Sequence, residues 1–72
     1  MNTATPAQLQ ALALMAKGMR AKEAAAHLGL SPWTVKDHIH NACRRMGAKN
    51  ATHAVAIALT SGQISAADVE AV

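Results

Sequence analysis

The sequence predicts an all-α fold, a small bundle of four helices that contains a helix-turn-helix. Three observations carry that reading. Alanine dominates the composition, while β-branched residues are few and scattered, a balance that favours helices over strands. Capping residues and glycines divide the chain into four helical segments. Two of these are joined by only Gly29-Leu30-Ser31. A short helix, a three-residue turn with Gly and a longer capped helix make the helix-turn-helix plan. On spacing alone the alternative is any small helical bundle.

The first helix has the clearest start. Thr5 suits the N-cap, Pro6 the first helical position, and Gln8 completes a T-x-x-Q capping box. It is expected to run from Pro6 to about Lys17, with Gly18 as its stop. The second spans about Ala21 to Leu28 before Gly29. Its start reads as poorly capped, because Arg20 has no side-chain acceptor for free backbone N–H groups. The third opens on Ser31 and Pro32 and stops before Gly47. The fourth starts near Asn50 and ends before Gly62. Ser65 and Asp68 form a weaker S-x-x-D box that predicts one last helical turn.

The 72 residues are read as one small domain, with residues 4–64 as its body and 65–72 as a short acidic tail. A chain of this length buries only roughly 60% of its unfolded surface, so partners or a longer parent chain are expected to add stability. Seven Lys and Arg face four Asp and Glu. All seven cations lie between Lys17 and Lys49, while Asp68 and Glu70 sit in the tail. A basic body points to an anionic partner, nucleic acid before membrane. No apolar run reaches a membrane-spanning length. Cys43 is the only cysteine, so an internal disulfide is excluded and a reducing cytoplasm is the simplest setting.

On the third helix, Val35, Ile39, Ala42, Cys43 and Met46 fall on one stripe about 100° wide, the expected core face. Asp37 points the opposite way, surrounded by Trp33, His40, Asn41 and Arg44. Lys36 flanks one side; Thr34, His38 and Arg45 flank the other. Thr34, Lys36, Arg44 and Arg45 are candidates for phosphates at the rims, and the central residues for base edges. The bland alternative is a solvated polar face. Trp33 either joins that outer face or folds back onto the second helix.

The run from Gly18 to Ala54, GMRAKEAAAHLGLSPWTVKDHIHNACRRMGAKNATHA, resembles the DNA-binding domain of LuxR/FixJ-type transcription regulators. The telling pieces are KEAA followed by HLGLS, then TVKDH, Asn41, RRMGAKN and the later AVAIALTSGQI. ATPAQ resembles a weakened L-T-P-R-E opening. The match needs no gaps over about residues 4 to 64. Sigma-factor helix-turn-helix segments are the nearest confusable class, but lack this ending. The resemblance implies a four-helix domain whose third helix enters the major groove of double-stranded DNA and whose fourth pairs two protomers. It assigns Thr34 to a phosphate, Lys36, Asp37 and His40 to the groove, and Arg44 and Arg45 to the basic pair near the helix end. His38 and Asn41 take mixed structural and backbone-contact roles, and Lys22 lies near the DNA backbone.

Several positions depart from the family pattern. Ala4 and Ala7 replace Leu and Arg, Gln8 replaces Glu, and Ala51 stands where an Arg is common. Leu9 and Leu14 are expected to add apolar surface. Asp37 sets a carboxylate where DNA makes the potential negative. These losses of charge leave a second function open, a module that pairs with and inhibits another transcription regulator. Either way the chain reads as a bacterial or phage protein, a free-standing regulator or one domain of a larger one.

The fourth helix, NATHAVAIALTSG, is apolar nearly all round. Ala54, Val55 and Ala58 form its core face, Leu59 and Ile57 flank it, and Ala56 lies beyond. A helix of this kind buries more than one face. A homodimer is expected, with His53, Ala56, Ile57 and Thr60 at its interface. Exposed alanines without a partner are the plain alternative.

No enzyme is legible. His38 and His40 point to different sides of one helix, and His40 and Cys43 lack a third ligand, so neither pair makes a metal site. Cys43 in an apolar stripe has nothing to activate it as a thiolate. His27 and His53 otherwise read as surface or boundary residues. No cofactor is called for.

Overall fold

The computed structural model describes residues 3–69, and their order is α1 (Pro6–Ala16), α2 (Ala21–Leu28), α3 (Pro32–Met46), α4 (Ala51–Thr60) and α5 (Ala66–Val69). Among the described residues there is no strand. The all-α expectation holds, with the expected last turn present as the four-residue α5. Glu70, the second acid of the tail, lies outside the described residues.

The caps explain the boundaries. Thr5 Oγ1 accepts from the Gln8 N–H at 3.2 Å, and Gln8 Oε1 accepts from the Thr5 N–H at 3.0 Å. This reciprocal box starts α1 as expected. The helix ends at Ala16, one residue short of the expected Lys17, which becomes its C-cap. As Arg20 leads one to expect, no side chain caps the first N–H groups of α2. Glu23 Oε1 accepts from the Arg20 N–H at 2.9 Å, which is the reverse half of a capping box. In α4, Asn50 Oδ1 accepts from the His53 N–H at 2.8 Å, and His53 Nδ1 accepts from the Lys49 N–H at 3.0 Å.

Two packed clusters make the interior. Leu12 sits with Ala4, Ala42, Met46, Ala54, Ala58 and Ile64, joining α1, α3 and α4. Ala11 and Leu14 sit with Ala24, Ala25 and Val35, joining α1, α2 and α3. Ile39 packs against both clusters and links them. The expected stripe of α3 is thus the buried one: Val35, Ala42 and Met46 are buried, and Ile39 and Cys43 half-buried. Burial pushes the Cys43 thiol up from its ordinary pKa, which disfavours the thiolate.

One departure from the family pattern has a different meaning here. Leu14 is buried and Leu9 is half-buried against the Leu12 cluster, so neither adds free apolar surface. Helix α1 is the central element, packed on α2, α3, α4 and α5, and needs apolar residues on several sides.

The segment before α1 is tied to the segment after α4. The Ala4 N–H donates to Gln63 Oε1 at 2.9 Å. Ser65 donates to Asp68 Oδ2 from its N–H at 2.8 Å and its hydroxyl at 3.1 Å. These bonds, the backbone one first, hold the Asp68 carboxyl below its ordinary pKa. The last turn is therefore firmest with Asp68 ionised, and loosens as pH falls through that lowered value. No helix among the described residues is long and apolar enough to cross a membrane.

Candidate nucleic-acid interface

The site is built on the turn between α2 and α3. Gly29 closes α2 in the left-handed conformation, φ 70°, which glycine adopts without a Cβ penalty. The Leu30 N–H then reaches back to the Ala25 carbonyl at 2.9 Å. Ser31 caps α3: its Oγ accepts from the Thr34 N–H at 3.1 Å and lies 2.9 Å from Thr34 Oγ1. Ala24 and Ala25 of α2 are buried against Val35 of α3, and their small size lets the two helices cross closely. A rigid turn and close packing thus fix which face of α3 is turned outward.

That face is the expected one. Trp33 is 74% exposed, which excludes its folding back onto α2. Lys36, His40 and Arg44 are exposed along the same side, with Asp37 and Asn41 half-buried between them. Asn41 Nδ2 donates to Asp37 Oδ2 at 3.3 Å, so the lone carboxylate is held by its own helix. Thr34 and His38 are half-buried at the flank. The hydroxyl of Thr34 is paired with that of Ser31, and its proton is free for an anion when Ser31 is the donor of that bond. Lys22 is exposed at the start of α2.

Arg45 behaves differently from its neighbour. Its Nε donates to the Thr3 carbonyl at 3.1 Å, tying the end of α3 to the segment before α1. An open cleft lined by Gln8, Asn41, Arg44 and Arg45 runs between α1 and α3. No local pattern signals this tether, which joins residues 42 positions apart.

On α4, His53, Ala56 and Thr60 are exposed, but Ile57 is half-buried and packs on the Leu12 cluster. Ile57 therefore sits at the rim of the core, in contact with it. Leu59, 37% exposed, is the larger apolar group on the outside.

A short helix, a left-handed glycine turn and a 15-residue helix with an outward cationic face define a helix-turn-helix module. The profile described as "Bacterial regulatory proteins, luxR family" matches residues 3–58. The chain belongs to this family, one of DNA-binding transcription regulators and not of enzymes. Among curated proteins it is similar to the transcriptional activator protein VanR of Vibrio anguillarum, at 39% identity over 61 residues. The similarity covers 85% of this chain and 25% of that relative, so the chain spans about a quarter of its length. No solved structure matches the chain.

Proposed function

We propose that the chain binds specific DNA sequences as a two-fold dimer, with α3 in the major groove and α4 against its counterpart. The outward face of α3 carries this reading: Trp33, Lys36, His40 and Arg44 stand exposed on a helix fixed by the turn before it. Lys36, His40 and Asn41 meet base edges, while Lys22, Thr34 and Arg44 meet phosphates. Arg45 supports the end of the helix through Thr3 and adds its charge to the same field. Mobility shifts on genomic fragments at two salt concentrations test the reading. Affinity is expected to fall steeply with salt through counterion release. Arg44→Ala is expected to reduce the salt slope by about one and weaken all duplexes alike. Lys36→Ala is expected to cost about 1–3 kcal/mol and relax preference at one base pair. If no fragment binds above the level of a generic polycation, the alternative of pairing with another regulator takes its place.

Asp37 gives a prediction of opposite sign. Its carboxylate is half-buried and accepts from Asn41 Nδ2 through one oxygen, which supports a role in shaping the helix face over one in reading cytosine. Asp37→Asn keeps the shape and removes the charge. Affinity for all duplexes is expected to rise about threefold, the Coulomb scale of one charge roughly 7 Å from a phosphate in water. Quantitative binding to several unrelated duplexes checks this. A lost preference at a single base pair, with no general gain, would contradict it.

A further inference from the structure

We propose that Trp33 reads the methyl group of a thymine in the major groove, so that the chain selects a T·A pair by apolar contact at the leading end of α3. The inference rests on the DNA-binding reading above and adds a base identity to it. Trp33 is the chain's only aromatic residue, and it stands 74% exposed. An indole is among the largest apolar groups a chain can bury, and here it is left in water. It is not exposed by looseness. It follows Pro32 in the first turn of α3, where the Ser31–Thr34 cap fixes the backbone.

Its surroundings grade from apolar to polar. Leu30, 39% exposed and three residues earlier, and the adjacent exposed Pro32 precede it, and Lys36, His40 and Arg44 follow along the helix. The cationic part of this face suits the phosphate-flanked groove, which makes DNA the occupant of the whole stripe. Recognition helices present their N-terminal residues to base edges, which brings Trp33 to those edges. In the major groove, guanine, adenine and cytosine show only hydrogen-bond donors and acceptors. Thymine alone shows an apolar group, its C5 methyl, next to the O4 acceptor. The indole offers a broad apolar face and one donor, Nε1–H, with no acceptor. Methyl and O4 together match both parts of it, whereas the cytosine amino donor matches neither.

The test uses duplexes that the chain itself selects from a randomised pool, remade with deoxyuridine for thymine. This change deletes the methyl and keeps O4 and the base pairing. The unaltered chain is expected to lose about fourfold in affinity for each methyl read. Trp33→Ala is expected to lose a similar factor on the thymine duplex and to be indifferent to deoxyuridine. Trp33→Leu, which restores an apolar surface, is expected to recover part of the thymine preference. Circular dichroism verifies that both variants fold. The fluorescence of the sole indole is expected to change more on the thymine duplex than on its deoxyuridine counterpart. An unaltered chain that ignores the substitution overturns the inference, as does a Trp33→Ala variant that keeps the full preference, and DNA binding stands in both cases. A Trp33→Ala loss with no methyl effect assigns the indole to the sugar-phosphate backbone and also overturns it. Failure to enrich any duplex overturns the DNA-binding reading itself.

Discussion

Leu12→Ala is expected to cost about 2–5 kcal/mol, toward the upper part of that range, and to leave much of the domain unfolded at 25 °C. Leu12 and Val35 are the largest fully buried side chains, and Leu12 anchors the cluster that joins α1, α3 and α4. The penalty depends on how far the neighbours can collapse into the space. Ala42, Ala54 and Ala58 surround it, and an alanine has no rotamer that fills a void. Met46 is the one flexible side chain among the buried neighbours from α3 and α4 able to lean inward. A domain of this size rarely has more than about 3–5 kcal/mol to lose. Urea denaturation followed by circular dichroism checks the prediction, with Tm expected to drop by more than about 10 °C. Leu30→Ala, at an exposed position, is the control and is expected to shift stability by less than about 1 kcal/mol. A Leu12→Ala domain as stable as the control would mean that the packing described here does not hold the helices together.

That dependence on a few side chains among alanines also explains what the sequence revealed. Helix boundaries were legible because they rest on local chemistry. Thr5 with Gln8, Ser31 before Pro32, and Asn50 each satisfy a backbone N–H three residues on, and Gly29 and Gly47 take the left-handed exit. The start of α2 reads as weakly capped from Arg20, and no side chain caps its first N–H groups. Glu23, at the third position after Arg20, adds a local contact by accepting the Arg20 N–H.

The outward face of α3 was also legible, since the period of its apolar residues alone separates Val35, Ile39, Ala42 and Met46 from the rest. Trp33 was the position that period could not decide. An indole at a helix start reaches either its neighbour or solvent, and the packing of Ala24 and Ala25 on Val35 leaves it outside. Contacts between distant residues left no trace in the pattern. Arg45 with Thr3 and Ala4 with Gln63 depend on how the segment before α1 meets α3 and the segment after α4, which no local periodicity encodes. Leu14 was misassigned for the same reason: its burial follows from α1 being packed on several sides.

Ala56→Glu is expected to abolish dimerisation and weaken binding to a two-half-site operator by roughly 100-fold or more, the scale on which linked half-sites assist each other. The residues of α4 left outside the core are Thr52, His53, Ala56, Leu59 and Thr60. Two of their polar groups are engaged within the chain. His53 Nδ1 accepts the Lys49 N–H, and Thr60 Oγ1 donates to the Ala56 carbonyl at 3.0 Å. Toward the end of the helix the outward strip is apolar: the Ala56 methyl, Leu59 and the Thr60 methyl. A second copy of the same helix covers such a strip well, because Ala56 lets two backbones approach and Leu59 packs beside the crossing. Ile57→Glu would be a poor probe, because Ile57 packs on the Leu12 cluster and a carboxylate there attacks the fold. Ala56 is exposed, and Glu is a good helix former, so its substitution strikes the surface alone. Two α3 helices carried by the dimer would read half-sites ~10 bp apart, centre to centre. Sedimentation equilibrium and binding to duplexes with one or two half-sites decide the matter. A chain that stays monomeric at high concentration, and binds both duplexes equally with or without Ala56→Glu, would sink the two-fold dimer and leave α3 acting alone.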